Sequence, residues 1–276
     1  MTATAWPAAT VDALRRALAV HEPAIAVEVV DAIDSTNTEL MRRARAGHSA
    51  PVLLVARQQT AGRGRLGRSW HSAQAAVDPA ATLTFSLGLP LAPRDWSGLS
   101  LAVGVSVAES LDPQGAGGVR VKWPNDLWVA DRKLVGILIE TAAPSGIQGA
   151  ARHVVIGVGV NIGPREGADM RTPPAWLRQW APEATPASAL AALAPPLLAE
   201  VQRFATQGFA PVAPRFAARD ALRGREVVLS DGQAGLCEGV GPGGELRVRT
   251  PAGLQAITSS EVSVRPRGMA LPGALS

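Results

Sequence analysis

Residues 121–140 read VKWPNDLWVADRKLVGILIE. VRVKW at 119–123 and DLWVA at 126–130 are short, β-rich runs on either side of Pro124, so the spacing predicts a pair of strands turned back around the proline. LVGILIET at 134–141 is nearly continuous in apolar residues, as is HVVIGVGVNI at 153–162, and both read as central strands of a sheet. The two lysines of the chain, Lys122 and Lys133, fall in this stretch, against twenty-five arginines elsewhere and throughout. Where arginine is so favoured, a retained lysine points to a need for a compact ammonium that a planar guanidinium cannot replace. The three asparagines, Asn37, Asn125 and Asn161, are equally sparse, and each lies in a dense segment: DSTN at 34–37, KWPND at 122–126 and GVGVN at 157–161. If 119–130 form a hairpin, Lys122 and Lys133 converge on one pocket.

Outward from this stretch, residues 11–20 read as a helix and VEVVDAI at 27–33 as a strand. Thr36-x-x-Glu39 is a capping-box signal opening a helix to about Gly47. PVLLVAR at 51–57 and TLTFSLGL at 82–89 read as strands, residues 58–72 as a Gly- and Arg-rich loop, and LSLAVGVSVAESL at 99–111 as a buried helix. Two or three helices fill 174–219, with Pro195-Pro196 as punctuation. From Arg225 onward, short alternating strands are separated by DG, GPGG and PAG turns, which reads as a small β-barrel with a boundary near residue 222.

Composition bounds the function. The chain has 276 residues, 47% of them hydrophobic, enough for a substantial core. Charges and prolines interrupt every apolar run before the roughly 18 residues a membrane span needs, and the N-terminus shows no secretory pattern, so a cytoplasmic location is the expectation. One cysteine, Cys237, excludes an internal disulfide. His21, His48, His71 and His153 are scattered without metal-ligand spacing, so no protein-held metal is expected. The net charge of +4 is modest, but Arg57, Arg63, Arg65 and Arg68 crowd one segment.

That segment, QQTAGRGRLGRSW at 58–70, combines glycines that admit close backbone approach with arginines that bind carboxylate or phosphate bidentately. Gly62-x-Gly64-x-x-Gly67 fits the dinucleotide fingerprint only as a string, because neither the helix nor the acidic residue that fingerprint needs follows it. With two ammoniums and an amide from the central stretch, this loop makes a strongly electropositive site suited to a polyphosphate. There is no Walker sequence and no Ser/His/Asp or Cys/His set.

Taken in order, DSTN, QTAGRGRLGRSW, KWPNDL, DRKLVGILIE and VIGVGVNIG closely resemble the biotin protein ligases. The resemblance implies an α+β fold: a mixed-sheet catalytic domain related to class II aminoacyl-tRNA synthetases over residues 1–221, then an SH3-like barrel over 222–276. It implies two substrates, biotin and ATP with Mg²⁺, a biotinyl-5′-AMP intermediate, and transfer to a lysine of a biotin carboxyl carrier protein. By motif position, Ser35, Thr36 and Gln59 would bind the ring end of biotin, with Gly62 and Arg63 closing over it and Gly136 lining the chain pocket beside Lys133. Arg63, Arg65 and Arg68 would hold carboxylate and phosphates, and Trp70 would pack near adenine. Lys122, Asn125 and Asn161 would complete the nucleotide site. Lys133 is the expected central electrostatic residue, and Asp126 is expected to orient the acceptor lysine. A loop that excludes water from a mixed anhydride is expected to be mobile over 60–72 without ligand.

Three other readings stand beside this one. A lipoate or octanoate ligase would share the fold, a basic loop could mark a nucleic-acid-binding module, and a biotin-responsive protein could lack catalysis. About 26 residues precede the first expected strand, too few for the DNA-binding helix-turn-helix domain of some biotin ligases, so no DNA partner is expected. A homodimer is compatible with the sequence. Residues 71–81 look longer than the turn usual in that family.

Overall fold

The computed structural model describes residues 6–70, 78, 80–142, 151–164, 172–229, 232–258 and 264–266. His71 and most of the long 71–81 segment lie outside them.

The large sheet has seven strands in the order β1-β2-β3-β7-β6-β5-β4: β1 Ala26–Ile33, β2 Val52–Gln59, β3 Thr82–Leu91, β4 Arg120–Lys122, β5 Asp126–Val129, β6 Arg132–Ala142 and β7 Arg152–Asn161. β1 and β2 run parallel, as the intervening helix α2 (Thr36–Arg45) requires, because a crossover is needed to return the chain in the same direction. Every other pairing is antiparallel. The sheet is therefore mixed, and the hairpin around Pro124 is present as β4–β5.

One face is covered by α1 (Ala8–Ala19), α3 (Leu99–Leu111) and α4 (Pro186–Gln207), and α2 packs on β3, β6 and β7 from the other. α3 is apolar all round because it is enclosed all round: Leu101, Val103, Val105 and Val107 are all inaccessible to solvent or nearly so. Gly104 brings it against β4, where an added Cβ would lie 3.0 Å from Val121. The open half of the α2 face is where the site forms.

Two local expectations are corrected. The cap of α2 is Ser35, whose side chain accepts from Thr38 N, not a box begun by Thr36. The hydroxyl of Thr36 is engaged by Ser86 and Gln59, and Glu39 is held by Arg42 and Arg43. Pro195 and Pro196 do not end a helix; they lie inside the 22-residue α4. The carbonyls they deprive of a partner belong to Ala191 and Ala192, on the exposed side, where water can serve instead.

Beyond α5 (Ala213–Arg219), the strands β8 Glu226–Leu229, β9 Ala234–Val240, β10 Leu246–Thr250, β11 Gly253–Ile257 and β12 Val264–Pro266 form an antiparallel sheet in the order β11-β10-β9-β8-β12. Among the described residues its edges β11 and β12 are not paired to each other, so it is an open sheet and not the closed barrel expected. Buried Trp123, joined to Pro124 by a cis peptide bond, anchors the hairpin to this sheet, donating from Nε1 to the Gly244 carbonyl at 3.1 Å. Arg225 adds a two-pronged ion pair to Asp131. Trp123→Phe removes that bond and leaves a cavity where the larger, fully buried indole stood, and should lower unfolding stability by about 2 kcal/mol or more; equal denaturation midpoints for the two proteins would show that neither the bond nor the packing ties the hairpin to the small sheet.

Candidate active site

Strands β6 and β7 floor a cavity of about 120 Å³ on the α2 face. Its floor is built from glycines because other groups lie directly on the strands. A Cβ on Gly157 would meet Asn37 Oδ1 at 2.2 Å, one on Gly159 the Trp70 ring at 2.3 Å, and one on Gly136 the same ring at 3.0 Å and Lys133 Nζ at 3.2 Å.

One end is uncharged and polar. The N-terminus of α2 contributes Ser35, Thr36 and Asn37, all nearly fully buried, and the end of β2 contributes Gln59. Gln59 is oriented by the backbone N–H of Thr36, which donates to its Oε1 at 2.8 Å. The other end is cationic. Lys122 and Asp126 face each other across β4–β5, and Asp126 faces Gly136 across β5–β6. Lys133 Nζ lies 2.7 Å from Asp126 Oδ1 and 5.8 Å from the Trp70 ring centre, and Lys122 Nζ lies 5.4 Å from the ring of Trp128. The two lysines of the chain thus line one cavity, with Arg63, Arg65 and Arg68 across from them.

The loop bearing those arginines is closed on itself. Arg63 and Ser69 form an antiparallel bridge, Gly64 N donates to the Arg68 carbonyl, and Trp70 N donates to the Gly62 carbonyl. A turn of 3₁₀ helix at Arg65–Gly67 caps it, with Leu66 at a positive φ of 56° and exposed. Arg65 donates to Asn125 Oδ1 at 3.3 Å, and burial pulls its pKa below the usual guanidinium value.

Burial also pushes the Lys122 ammonium down to about 8; Asp126 opposes the shift, while Lys133, Arg68 and Arg65 add to it. Between about pH 8 and the ordinary lysine value of 10.5 the unfolded chain binds more protons than the native one, so this group's contribution to stability rises with pH across that window. The stability of the protein relative to Lys122→Met should therefore increase when urea denaturation is moved from about pH 7.5 to about pH 10. A constant difference would show that Lys122 is not desolvated. The same proton loss weakens the hold on an anion, so kcat/KM for an anionic substrate should fall as pH rises through about 8.

Of the residues singled out by sequence, Ser35, Thr36, Gln59, Arg63, Arg65, Arg68, Trp70, Lys122, Asn125, Asp126, Lys133 and Gly136 all line this cavity. Two do not. Gly62 lies behind the lining, where a Cβ would collide with the Trp70 carbonyl at 2.3 Å. Asn161 is buried beneath Lys133 and donates to the carbonyls of Lys133 and Ala175 at 2.9 and 3.1 Å. It fixes the backbone of the lysine, which is held also by Lys133 N to the Pro173 carbonyl. Asn37, Gly157 and Gly159 also line the cavity; Asn37 stood out as a sparse asparagine, but none of the three was given a site role from sequence. Their signal was there in DSTN and GVGVN, two of the dense segments, but apolar-strand glycines say nothing of what rests on them.

On this mixed sheet the cavity pairs an uncharged polar end with a cationic one, surroundings suited to a small acid with a polar head beside anionic phosphates. The profile of the Biotin/lipoate A/B protein ligase family matches residues 29–161. The chain is 36% identical over 244 residues to the bifunctional ligase/repressor BirA of Escherichia coli, covering 87% of this chain and 74% of that one. It is 35% identical over 245 residues to the biotin–[acetyl-CoA-carboxylase] ligase of Paracoccus denitrificans, covering 83% of this chain and 96% of the other. Among solved structures, the biotin protein ligase from Aquifex aeolicus in complex with biotin and ATP superposes with a TM-score of 0.72 at 25% identity, over 87% and 98% of the two chains. The chain belongs to the biotin/lipoate A/B protein ligase family, and two of these three relatives are named as biotin ligases.

Proposed function

We propose that this protein is a biotin–[biotin carboxyl-carrier protein] ligase, which activates biotin with ATP and transfers it to a lysine of the carrier protein of acetyl-CoA carboxylase. The observation that carries this reading is the continuity of the cavity from the Ser35–Thr36–Gln59 end to the Lys122–Lys133–arginine end. An acid with a polar head fits it with its carboxylate among the cations.

In the first step a biotin carboxylate oxygen attacks the α-phosphorus of ATP. The bond to the β-phosphate oxygen breaks, and pyrophosphate leaves. Positive groups fixed where charge develops, here Lys133 with Arg63 and Arg65, supply the stabilisation. Arg68, Lys122 and Asn125 hold phosphates and Trp70 packs near the adenine, while Asn161 acts through the backbone of Lys133. Ser35, Thr36 and Gln59 bind the ring, and Gly136 leaves room for the chain. In the second step a carrier lysine attacks the acyl carbon, AMP leaves, and the nitrogen loses a proton. Asp126 already holds an ammonium at 2.7 Å, which supports its role in orienting the acceptor lysine.

Among the described residues Asp126 is the one carboxylate lining the cavity, and no cluster of three His, Cys, Asp or Glu side chains would hold a metal. That donor set does not fit a protein cage for Mg²⁺, so the ion is read as arriving on the ATP phosphates. We read residues 60–72 as a lid, residues 1–221 as catalytic, and 222–276 as a small SH3-like domain whose sheet is open among the described residues. No helix among the described residues is long and apolar enough to cross a membrane. A cytoplasmic protein without a DNA partner, with a homodimer allowed, completes the proposal.

Biotin-dependent exchange of labelled pyrophosphate into ATP tests it. Exchange with biotin and not with lipoate or octanoate is expected. Exchange with lipoate or octanoate alone would move the chain to the other branch of its family, and none with any of the three would remove the ligase reading.

A further inference from the structure

Behind the cavity wall runs a chain of hydrogen bonds whose direction is set at one end. Glu140, on β6, is not in the lining. Its carboxylate can only accept, and Oε2 receives Asn37 Nδ2 at 3.0 Å while the Leu138 carbonyl receives the same nitrogen at 3.2 Å. Two acceptors fix that amide, so Asn37 Oδ1 is turned to Ser86 Oγ, 2.7 Å away, and Ser86 must donate to it. Ser86 has one proton. Its 2.7 Å contact with the Thr36 hydroxyl is therefore donated by Thr36. Thr36 also has one hydroxyl proton, and it is directed to Ser86. Gln59 Oε1 competes for the same proton at 3.1 Å, but it already accepts the Thr36 backbone N–H at 2.8 Å, and the Ser86 contact is the shorter at 2.7 Å, so the proton stays with Ser86. The order of donors is thus settled from Glu140 to Thr36, and Thr36, which lines the cavity, turns lone pairs and not a proton toward a ligand.

We infer that Glu140 is a specificity-determining residue: through Asn37 and Ser86 it makes Thr36 an acceptor, matched to an acid whose head group carries N–H donors. The inference rests on the biotin reading, since the ureido ring has such donors. A dithiolane or plain aliphatic acid has none and leaves the Thr36 oxygen unpaired, and a site built for a hydrogen bond rejects ligands that lack it more strongly than a site built on shape alone. Glu140 touches no ligand; it is a positioning residue. It also binds Arg63, at 3.1 and 3.3 Å, which offers a different route to the cavity, through the loop.

Calorimetric titration with biotin and with octanoate separates these routes. Glu140→Gln is close in shape but brings an N–H donor, which allows the Asn37 amide to turn and the order of protons to reverse. It should weaken biotin binding about tenfold and raise the KM for biotin similarly, with kcat within about twofold, while octanoate binding is unchanged. Glu140→Asp keeps an acceptor-only group and should bind biotin more tightly than Glu140→Gln does. In a Ser86→Ala background, where the relay is cut, Glu140→Gln should have almost no further effect. Equal biotin affinity in the protein and Glu140→Gln would overturn the inference alone. So would coupling of Glu140 to Arg63→Ala with none to Ser86→Ala. Absence of biotin binding by the unaltered protein would overturn the ligase reading along with it.

Discussion

Lys133→Ala should reduce biotin-dependent pyrophosphate exchange by at least about 10²–10³-fold in kcat, the loss typical of removing one fixed charge partner of a transition state. The ammonium sits in the cationic end of the cavity, against Asp126 and over the Trp70 ring, and its backbone is held by Asn161 and Pro173. It is therefore preorganised, with little freedom left to lose on reaching the transition state. Lys133→Arg should rescue poorly. A Cβ on Gly136 would lie 3.2 Å from both Cε and Nζ of Lys133, so the glycine is what makes room for a slim stem, and a planar fork is wider. Single-turnover measurement of adenylate formation, with thermal unfolding to establish that the variant is folded, checks the claim. Activity within tenfold of the unaltered protein in Lys133→Ala would remove the residue from the chemistry.

Gly157→Ala is expected to have the second largest effect, although it adds one methyl group. Gly157 pairs with Ser86 on β3 and with Leu138 on β6, and Asn37 lies across all three, bonded to Ser86 and to the Leu138 carbonyl. The new Cβ would stand 2.2 Å from Asn37 Oδ1. Asn37 is 3% exposed and cannot move without breaking those bonds. Overpacking of this kind costs about 1–3 kcal/mol, and displacing Asn37 deforms the polar end of the cavity. Disturbing one hydrogen bond at that end, worth about 1.4 kcal/mol in binding, should weaken biotin affinity about tenfold. Calorimetry and a melting curve measure the two effects, and unchanged biotin affinity would mean that the wall tolerates a shift of Asn37.

Much of this arrangement was legible in the chain. β6 and β7 announced themselves as apolar runs, and α3 was bounded correctly at Leu99 and Leu111. The rarity of lysine marked Lys122 and Lys133 before any geometry was known, and the hairpin brings both to one cavity. What sequence could not carry is contact between distant strands. Ser86, Glu140 and Asn37 lie far apart in the chain, and only the ladder of β3, β7 and β6 makes them neighbours. Asn161 shares a motif with residues of the site, yet its amide is turned to carbonyls beneath Lys133 and away from the cavity. The closing of the small sheet was likewise inferred from turn spacing, which counts strands but does not say whether the outer two meet.

Transfer of biotin to a protein lysine is the activity that defines such a ligase. Purified carrier domain of acetyl-CoA carboxylase, incubated with this protein, biotin and Mg·ATP, should gain one biotinyl group on a single lysine by intact-mass and peptide mass spectrometry, and should gain none when Lys133→Ala replaces the enzyme. A carrier that stays unmodified, or that is acylated only when lipoate or octanoate replaces biotin, would contradict it.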